Sequence, residues 1–218
     1  MSPKKKIVAN SYLIITADDY GMSSLFNHGI EELAELGLIT GVSVMVERPF
    51  ATTTLLNFPK LSLGLHLELE DSSTKEEIYR QITLFREKFG KLPAYLDGHQ
   101  HQHLTSHNFP SVVESARNFN LPVRSRFSED RKKLVETAIA TPQNFISWHP
   151  DRIPILAERL YETRQYALSE LVVHPGYFDH QCEYPYNKER ETELTFLKSH
   201  EFQAIITPFT LLSYSQAF

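Results

Sequence analysis

The feature that most constrains this chain is an alternation along nearly its whole length. Short β-branched or apolar runs exchange with longer segments of helical periodicity. Tyr12–Thr16 reads as a buried strand, and the following segment, Phe26 to Leu36, sets Ile30, Leu33 and Leu36 on one helical face before Gly37 stops it. Further strands are expected over Gly41–Val46, Leu61–Leu67, Tyr95–Asp97, Val123–Arg126, Asn144–Trp148, Glu170–His174 and Phe202–Ile206. Helices are expected over Ala51–Asn57, Ser73–Phe89 (capped by Ser73 or Thr74), Pro110–Phe119, Glu129–Ala140, Ile153–Arg164 and Arg190–Lys198. Such an order predicts an α/β fold with a mostly parallel sheet, open or closed into a barrel. In either form ligands bind where strands end at their carboxyl side.

At 218 residues the chain fits one α/β domain, residues 1–218, large enough to bury a core without disulfides. The apolar share of 41% and charged share of 22% are those of a globular protein. A net charge of −5, with no basic stripe, argues against nucleic acid or an anionic membrane as partner. The lone Cys182 excludes an internal disulfide or a cysteine-rich zinc module. Lys4–Lys6 followed by Ile7 to Ala17 superficially resembles a signal peptide, but Asn10 and Ser11 interrupt the run and it ends in Asp18-Asp19. No stretch approaches a membrane span, so the cytoplasm is the expected location.

Polar residues recur at the expected strand ends. Asp18 and Asp19 are adjacent carboxylates, whose repulsion a cation would relieve, although acids also suit a helix N-terminus. His66 interrupts the leucine alternation Leu61 to Leu69, facing away from Leu63, Leu65 and Leu67; a lone histidine there also serves as a hydrogen-bonded core residue. The densest signal is Asp97-Gly-His-Gln-His-Gln-His103: four of ten histidines, including His107, fall within nine residues. In an extended segment His99, His101 and His103 would share a face, and Asp97 could orient one ring. Ligands from separate strands make a less strained site than three from one segment. His174-Pro-Gly-Tyr177 makes a sharp exit that presents an imidazole at the rim, or a plain turn. Arg124 suits a strand-end anion contact or a surface ion pair, and His149-Pro-Asp151 suggests no chemistry. The chain has no glycine-rich phosphate loop, Gly-x-Ser-x-Gly elbow or His-Glu-x-x-His motif.

In combination, Thr16-Ala-Asp-Asp-Tyr-Gly21, Gly37-Leu-Ile-Thr-Gly-Val-Ser-Val-Met45, Gly64-Leu-His-Leu-Glu-Leu69, Leu96-Asp-Gly-His-Gln-His-Gln-His103 and His174-Pro-Gly-Tyr177 resemble, in order, the YdjC-like carbohydrate deacetylases. Arg190-Glu-Thr-Glu-Leu194 also matches. The resemblance implies a single-domain barrel-like (β/α) fold related to the NodB-type deacetylases, and removal of acetyl groups from N-acetylated sugars or oligosaccharides. It implies Asp19, His66 and His99 as ligands of one divalent metal ion, Asp18 as general base and His174 as general acid. His101 and His103 would then sit behind the ligands or towards substrate. Zinc suits this ligand set best, with cobalt, nickel, manganese or magnesium as alternatives. The implied partner is a small carbohydrate, and a homodimer is compatible with the sequence. The thirty residues between His66 and Asp97 are fewer than expected for chitooligosaccharide-specific members. A shorter cover beside the site suggests a more open cleft, or a different or smaller substrate.

Two other classes compete. One is another metal hydrolase on a similar barrel, an amidohydrolase or phosphoesterase, which would favour two ions per chain; the Asp-Asp end of the first strand disfavours it. The other is a non-catalytic metal- or sugar-binding module, which needs neither base nor acid.

Overall fold

The structure, a computed structural model, describes residues 10–147 and 153–218. In chain order its elements are β1 (Tyr12–Tyr20), α1 (Ser24–Glu35), β2 (Gly41–Val44), a 3-10 turn (Thr53–Asn57), β3 (Ser62–Leu67), α2 (Lys75–Phe89), β4 (Leu96–Gly98) and a second 3-10 turn (His99–Leu104). There follow α3 (Phe109–Phe119), α4 (Ser128–Glu136), β5 (Asn144–Ser147), α5 (Ile153–Thr163), β6 (Leu168–Val173), α6 (Lys188–Leu197), α7 (His200–Ile206), β7 (Thr210–Leu211) and α8 (Tyr214–Ala217).

β1 is the axis of the sheet, buried at every residue but its first, as its unbroken apolar run requires. The strand order is β4-β3-β2-β1-β6-β5, every pairing is parallel, and β7 adds to the start of β1 at Tyr12 and Leu13. A bridge from Leu96 to Val123 extends the row by one residue. Among the described residues no ladder joins Val123 to β5, which leaves a parallel half-barrel rather than a closed ring. Helices cover the sheet through one apolar cluster that includes Ile30 and Leu33 of α1, Phe85 of α2, Leu160 of α5 and Leu197 of α6. No helix among the described residues is long and apolar enough to cross a membrane.

The local signals explain most boundaries. Ser23 caps α1, its hydroxyl accepting from the Leu25 N–H at 3.1 Å, and Gly37 follows the helix with φ 68°. Thr74 rather than Ser73 caps α2, in a reciprocal box with Glu77. Gly64 in β3 has a packing reason: a Cβ there would lie 2.2 Å from the Tyr95 ring.

Two expectations need correction. Phe202–Ile206 is helix α7, not a strand, because Phe202 and Ile206 are buried at helical spacing and the Ser199 hydroxyl caps the Phe202 N–H. The last strand is β7, and it is two residues long. Of Val123–Arg126 only Val123 makes a bridge. Trp148 and the His149-Pro-Asp151 motif lie outside the described residues, as do Lys4–Lys6.

Candidate functional site

The carboxyl ends of β1, β3, β4 and β6 bring the strand-end residues together. Consecutive strand residues point to opposite faces, which would separate Asp18 from Asp19. Here the β1–β2 register shifts between Ala17 and Tyr20, and Asp19 takes φ 69°, a left-handed conformation that aspartate tolerates better than most residues. Both carboxylates consequently line one cavity. Both are buried.

Asp19 is the meeting point. Its Oδ1 lies 3.2 Å from His66 Nε2 and 3.1 Å from His99 Nδ1. Its Oδ2 accepts a hydrogen bond from Arg190. Burial pushes the Asp19 carboxyl up, but Arg190 and the two imidazoles outweigh this and hold it well below the ordinary range. His66 extends from β3, and its Nδ1 sits 2.8 Å from Asp97 Oδ1 on β4. A neutral His66 that donates Nδ1–H to that carboxylate keeps its Nε2 lone pair on the Asp19 side, open to a cation. Burial opposes the charged form of His66, yet Asp97, Asp18 and Asp19 together raise its pKa well above the ordinary value. The cluster therefore attracts positive charge to this point.

Arg124 is fully buried, against the usual expectation of a surface ion pair. It grips Asp18 with two hydrogen bonds, Nη1 to Oδ2 at 2.7 Å and Nη2 to Oδ1 at 2.9 Å. The same guanidinium reaches Asp97 Oδ2 at 2.7 Å and Glu170 Oε1 at 3.0 Å. Burial raises Asp18, but Arg124 and then His66 pull it well below the ordinary carboxylate range. Ser43 donates to Asp97 at 2.6 Å, and Tyr214 and Thr16 donate to Glu170 at 2.7 and 2.8 Å. Sequence reasoning missed Glu170; a glutamate within an apolar strand was the available signal.

The histidine segment is not extended. Residues His99–Leu104 form a 3-10 turn broken by positive φ at Gln100 and His101. Alternation therefore does not place three rings on one face. His99 reaches Asp19, whereas the ring of His103 turns inward and its Nε2–H donates to the Arg124 carbonyl at 3.0 Å, pinning the arginine's backbone. His101 lines the cavity. Burial lowers His101 and His103 to about 3 each, so both are neutral.

His174 lies just beyond the end of β6 and lines the cavity with Asp18, Asp19, His66 and His99. Burial lowers its pKa, with Asp19 and Asp18 opposing, so its resting form is neutral rather than protonated. Its backbone N–H donates to Glu193 Oε1 at 2.7 Å. Gly176 lets this loop pack on α1: a Cβ there would lie 2.9 Å from the Phe26 Cα.

The residues fit a divalent cation. Asp19, His66 and His99 each offer a ligand atom, all within 4.8 Å of one another, from three separate segments. Four buried carboxylates (Asp18, Asp19, Asp97 and Glu170) face two buried guanidiniums (Arg124 and Arg190), leaving two negative charges when all four are ionised and His66 is neutral. Three protein ligands leave a position for water. Asp18, His66 and Asp97 form a second cluster, but Arg124 already supplies the cation to both of its aspartates. The cavity encloses about 100 Å³. A wider cavity of about 520 Å³ shares His99 and Tyr184 with it, and adds Arg48, Phe50 and Glu183. The segment between His66 and Asp97 folds mainly as α2 and lines neither cavity; the wall comes from residues 179–185 instead.

The model of the YdjC-like protein family matches residues 12–76 and 72–207. The chain belongs to the YdjC-like family. A carbohydrate deacetylase of Thermoanaerobacter pseudethanolicus is 24% identical over 242 residues, covering 92% of this chain and 96% of that one. A chitooligosaccharide deacetylase of Proteus mirabilis is 25% identical over 238 residues, covering 89% and 93%. The crystal structure of an Enterococcus faecalis V583 protein superposes with a TM-score of 0.84 at 22% identity, covering 96% of this YdjC-like chain and 99% of that one. The Xyl-CE4 domain of a multidomain xylanase from the hindgut metagenome of Trinervitermes trinervoides gives 0.53 at 9% identity, covering 96% and 90%. These two likenesses show a shared fold.

Proposed function

We propose that this YdjC-like chain is a metal-dependent carbohydrate deacetylase that hydrolyses the acetamide of N-acetylated sugars or short oligosaccharides. The observation that carries the reading is the convergence of Asp19, His66 and His99 with Asp18 and His174 around one small cavity. Similarity to proteins named carbohydrate and chitooligosaccharide deacetylases supports the substrate class. Asp19, His66 and His99 would hold the cation, zinc being well suited to one carboxylate and two imidazoles. When bound, the cation supplies Lewis-acid polarisation of the acetamide carbonyl and of the attacking water.

The chain's own groups do the rest. Asp18, kept ionised and oriented by Arg124, accepts the proton of the attacking water. His174 is neutral at rest, so it delivers to the leaving amine the proton that Asp18 has taken from the water and passed on within the cavity both residues line. The small cavity takes the acetamide, while the adjoining cavity holds the sugar, with Tyr184 as a shared wall. The products are acetate and a free amino sugar.

Acetate release from a panel of N-acetylated monosaccharides and oligosaccharides, with and without chelator and added zinc, tests the proposal. Release that chelator abolishes and zinc restores is expected. Absence of acetate from every member would leave a binding module or another hydrolase class as the better reading.

A further inference from the structure

The Arg190-Glu-Thr-Glu-Leu194 motif has no part in the chemistry above, yet it is buried in a way that demands explanation. Along α6, Arg190, Glu193, Leu194 and Leu197 occupy one face at helical spacing, and all are essentially inaccessible. The two leucines need no account. An arginine and a glutamate one turn apart on a core-facing stripe do, because charged groups are rarely fully buried without partners.

The partners of both lie at the site. Arg190 bonds Asp19 through Nη2, and its Nε donates to the Tyr186 carbonyl at 2.8 Å. Its guanidinium centre is 4.2 Å from the centroid of Phe26 and within 5.7 Å of those of Tyr184 and Tyr186. Nη1 has no hydrogen-bond partner among the described residues, so the placement leaves a buried donor unmet. Glu193 uses Oε1 to hold the His174 N–H at 2.7 Å and Oε2 to accept from Tyr186 at 2.8 Å. One rigid helix therefore contacts Asp19 at one point and the His174 backbone at another.

We propose that α6 braces the site through two positioning residues: Arg190 engages Oδ2 of Asp19 so that Oδ1 alone is presented between His66 and His99, and Glu193 fixes the backbone that carries His174. This rests on the reading of Asp19, His66 and His99 as the cation site. Without Arg190, the carboxylate is free to rotate or to offer both oxygens, and the pocket for the ion is no longer pre-set. The loss of such an outer partner typically lowers metal affinity by about 10–100-fold. Without Glu193, the cation site is intact but the acid is displaced.

The two arms separate experimentally. Zinc affinity of the full chain, measured by competition with a chromophoric chelator, should fall about 10–100-fold in Arg190→Gln while the circular dichroism spectrum stays folded. Arg190→Lys, which keeps the charge but loses the planar fork, should show a smaller loss and serves if Arg190→Gln does not fold. Glu193→Leu should bind zinc as the unaltered chain does, with kcat for acetate release lowered and KM little changed; Glu193→Gln, which retains a carbonyl acceptor, should recover most of that kcat. Folded Arg190 variants with unaltered zinc affinity, beside an Asp19→Ala variant that has lost zinc, would overturn the brace and leave the cation site standing. Equal zinc binding by the unaltered chain and Asp19→Ala would instead remove the reading of the site itself.

Discussion

Replacing Arg124 by methionine removes the one cation that faces Asp18, Asp97 and Glu170 together. The side chain is fully buried, so solvent cannot substitute for it. Removing one partner of a buried ion pair costs about 3–5 kcal/mol, and three carboxylates share this partner, which places Arg124→Met near the upper end. That is a large part of the roughly 5–15 kcal/mol that stabilises a typical domain. The pH dependence gives the mechanism away. In the unaltered chain Asp18 has a folded pKa below its unfolded value, so its contribution is present above about pH 4 and disappears as the pH falls through the folded value. In Arg124→Met only burial and weaker neighbours act on Asp18 and Glu170: the folded pKa of Asp18 rises above the unfolded one, that of Glu170, which burial already raises in the unaltered chain, rises further, and stability lost at neutral pH returns on acidification. Each carboxylate that titrates restores up to about 1.4 kcal/mol per pH unit relative to the unaltered chain. Urea unfolding of both proteins at pH 7 and pH 5 measures this. A deficit under about 1 kcal/mol at pH 7, or one that does not shrink at pH 5, would refute the reasoning.

Three other outcomes follow from the same geometry. Asp18→Asn should retain zinc but lose acetate release by at least about 100-fold, as expected for a removed proton acceptor, in a steady-state assay with metal content measured in parallel. Gly64→Ala should destabilise the chain by about 1–3 kcal/mol in thermal or urea unfolding, since its Cβ would overlap the Tyr95 ring that stacks on Tyr214 at 3.9 Å. Tyr184→Ala should raise KM for an N-acetylated oligosaccharide several-fold while kcat changes little, because the ring walls the cavity assigned to the sugar; an unchanged KM would place the sugar elsewhere.

Much of this site was legible in the sequence because it is built at strand ends. Asp18-Asp19 and His174 follow apolar runs and His66 lies one residue before the end of β3, and a parallel sheet carries such residues to one rim. What the pattern could not supply was local backbone geometry. Nothing in the alternation of histidines foretold positive φ at Gln100 and His101, and with it the inward turn of His103. The helix at Phe202–Ile206 was hidden because a short apolar run fits either period, and the cap at Ser199 decides it. Buried ion pairs were hidden for another reason. Arg190 and Glu193 look like ordinary surface residues, and Arg124 and Glu170 carry only an ambiguous signal, until the strands and α6 place each against an opposite charge or a backbone donor far away in sequence.

The most direct measurement is an anomalous difference map from crystals of this protein grown with zinc. A single peak within coordination distance of Asp19, His66 and His99, about 2.0–2.2 Å from their ligand atoms, is the predicted result. Zinc bound elsewhere, or no peak at saturating zinc, would contradict it.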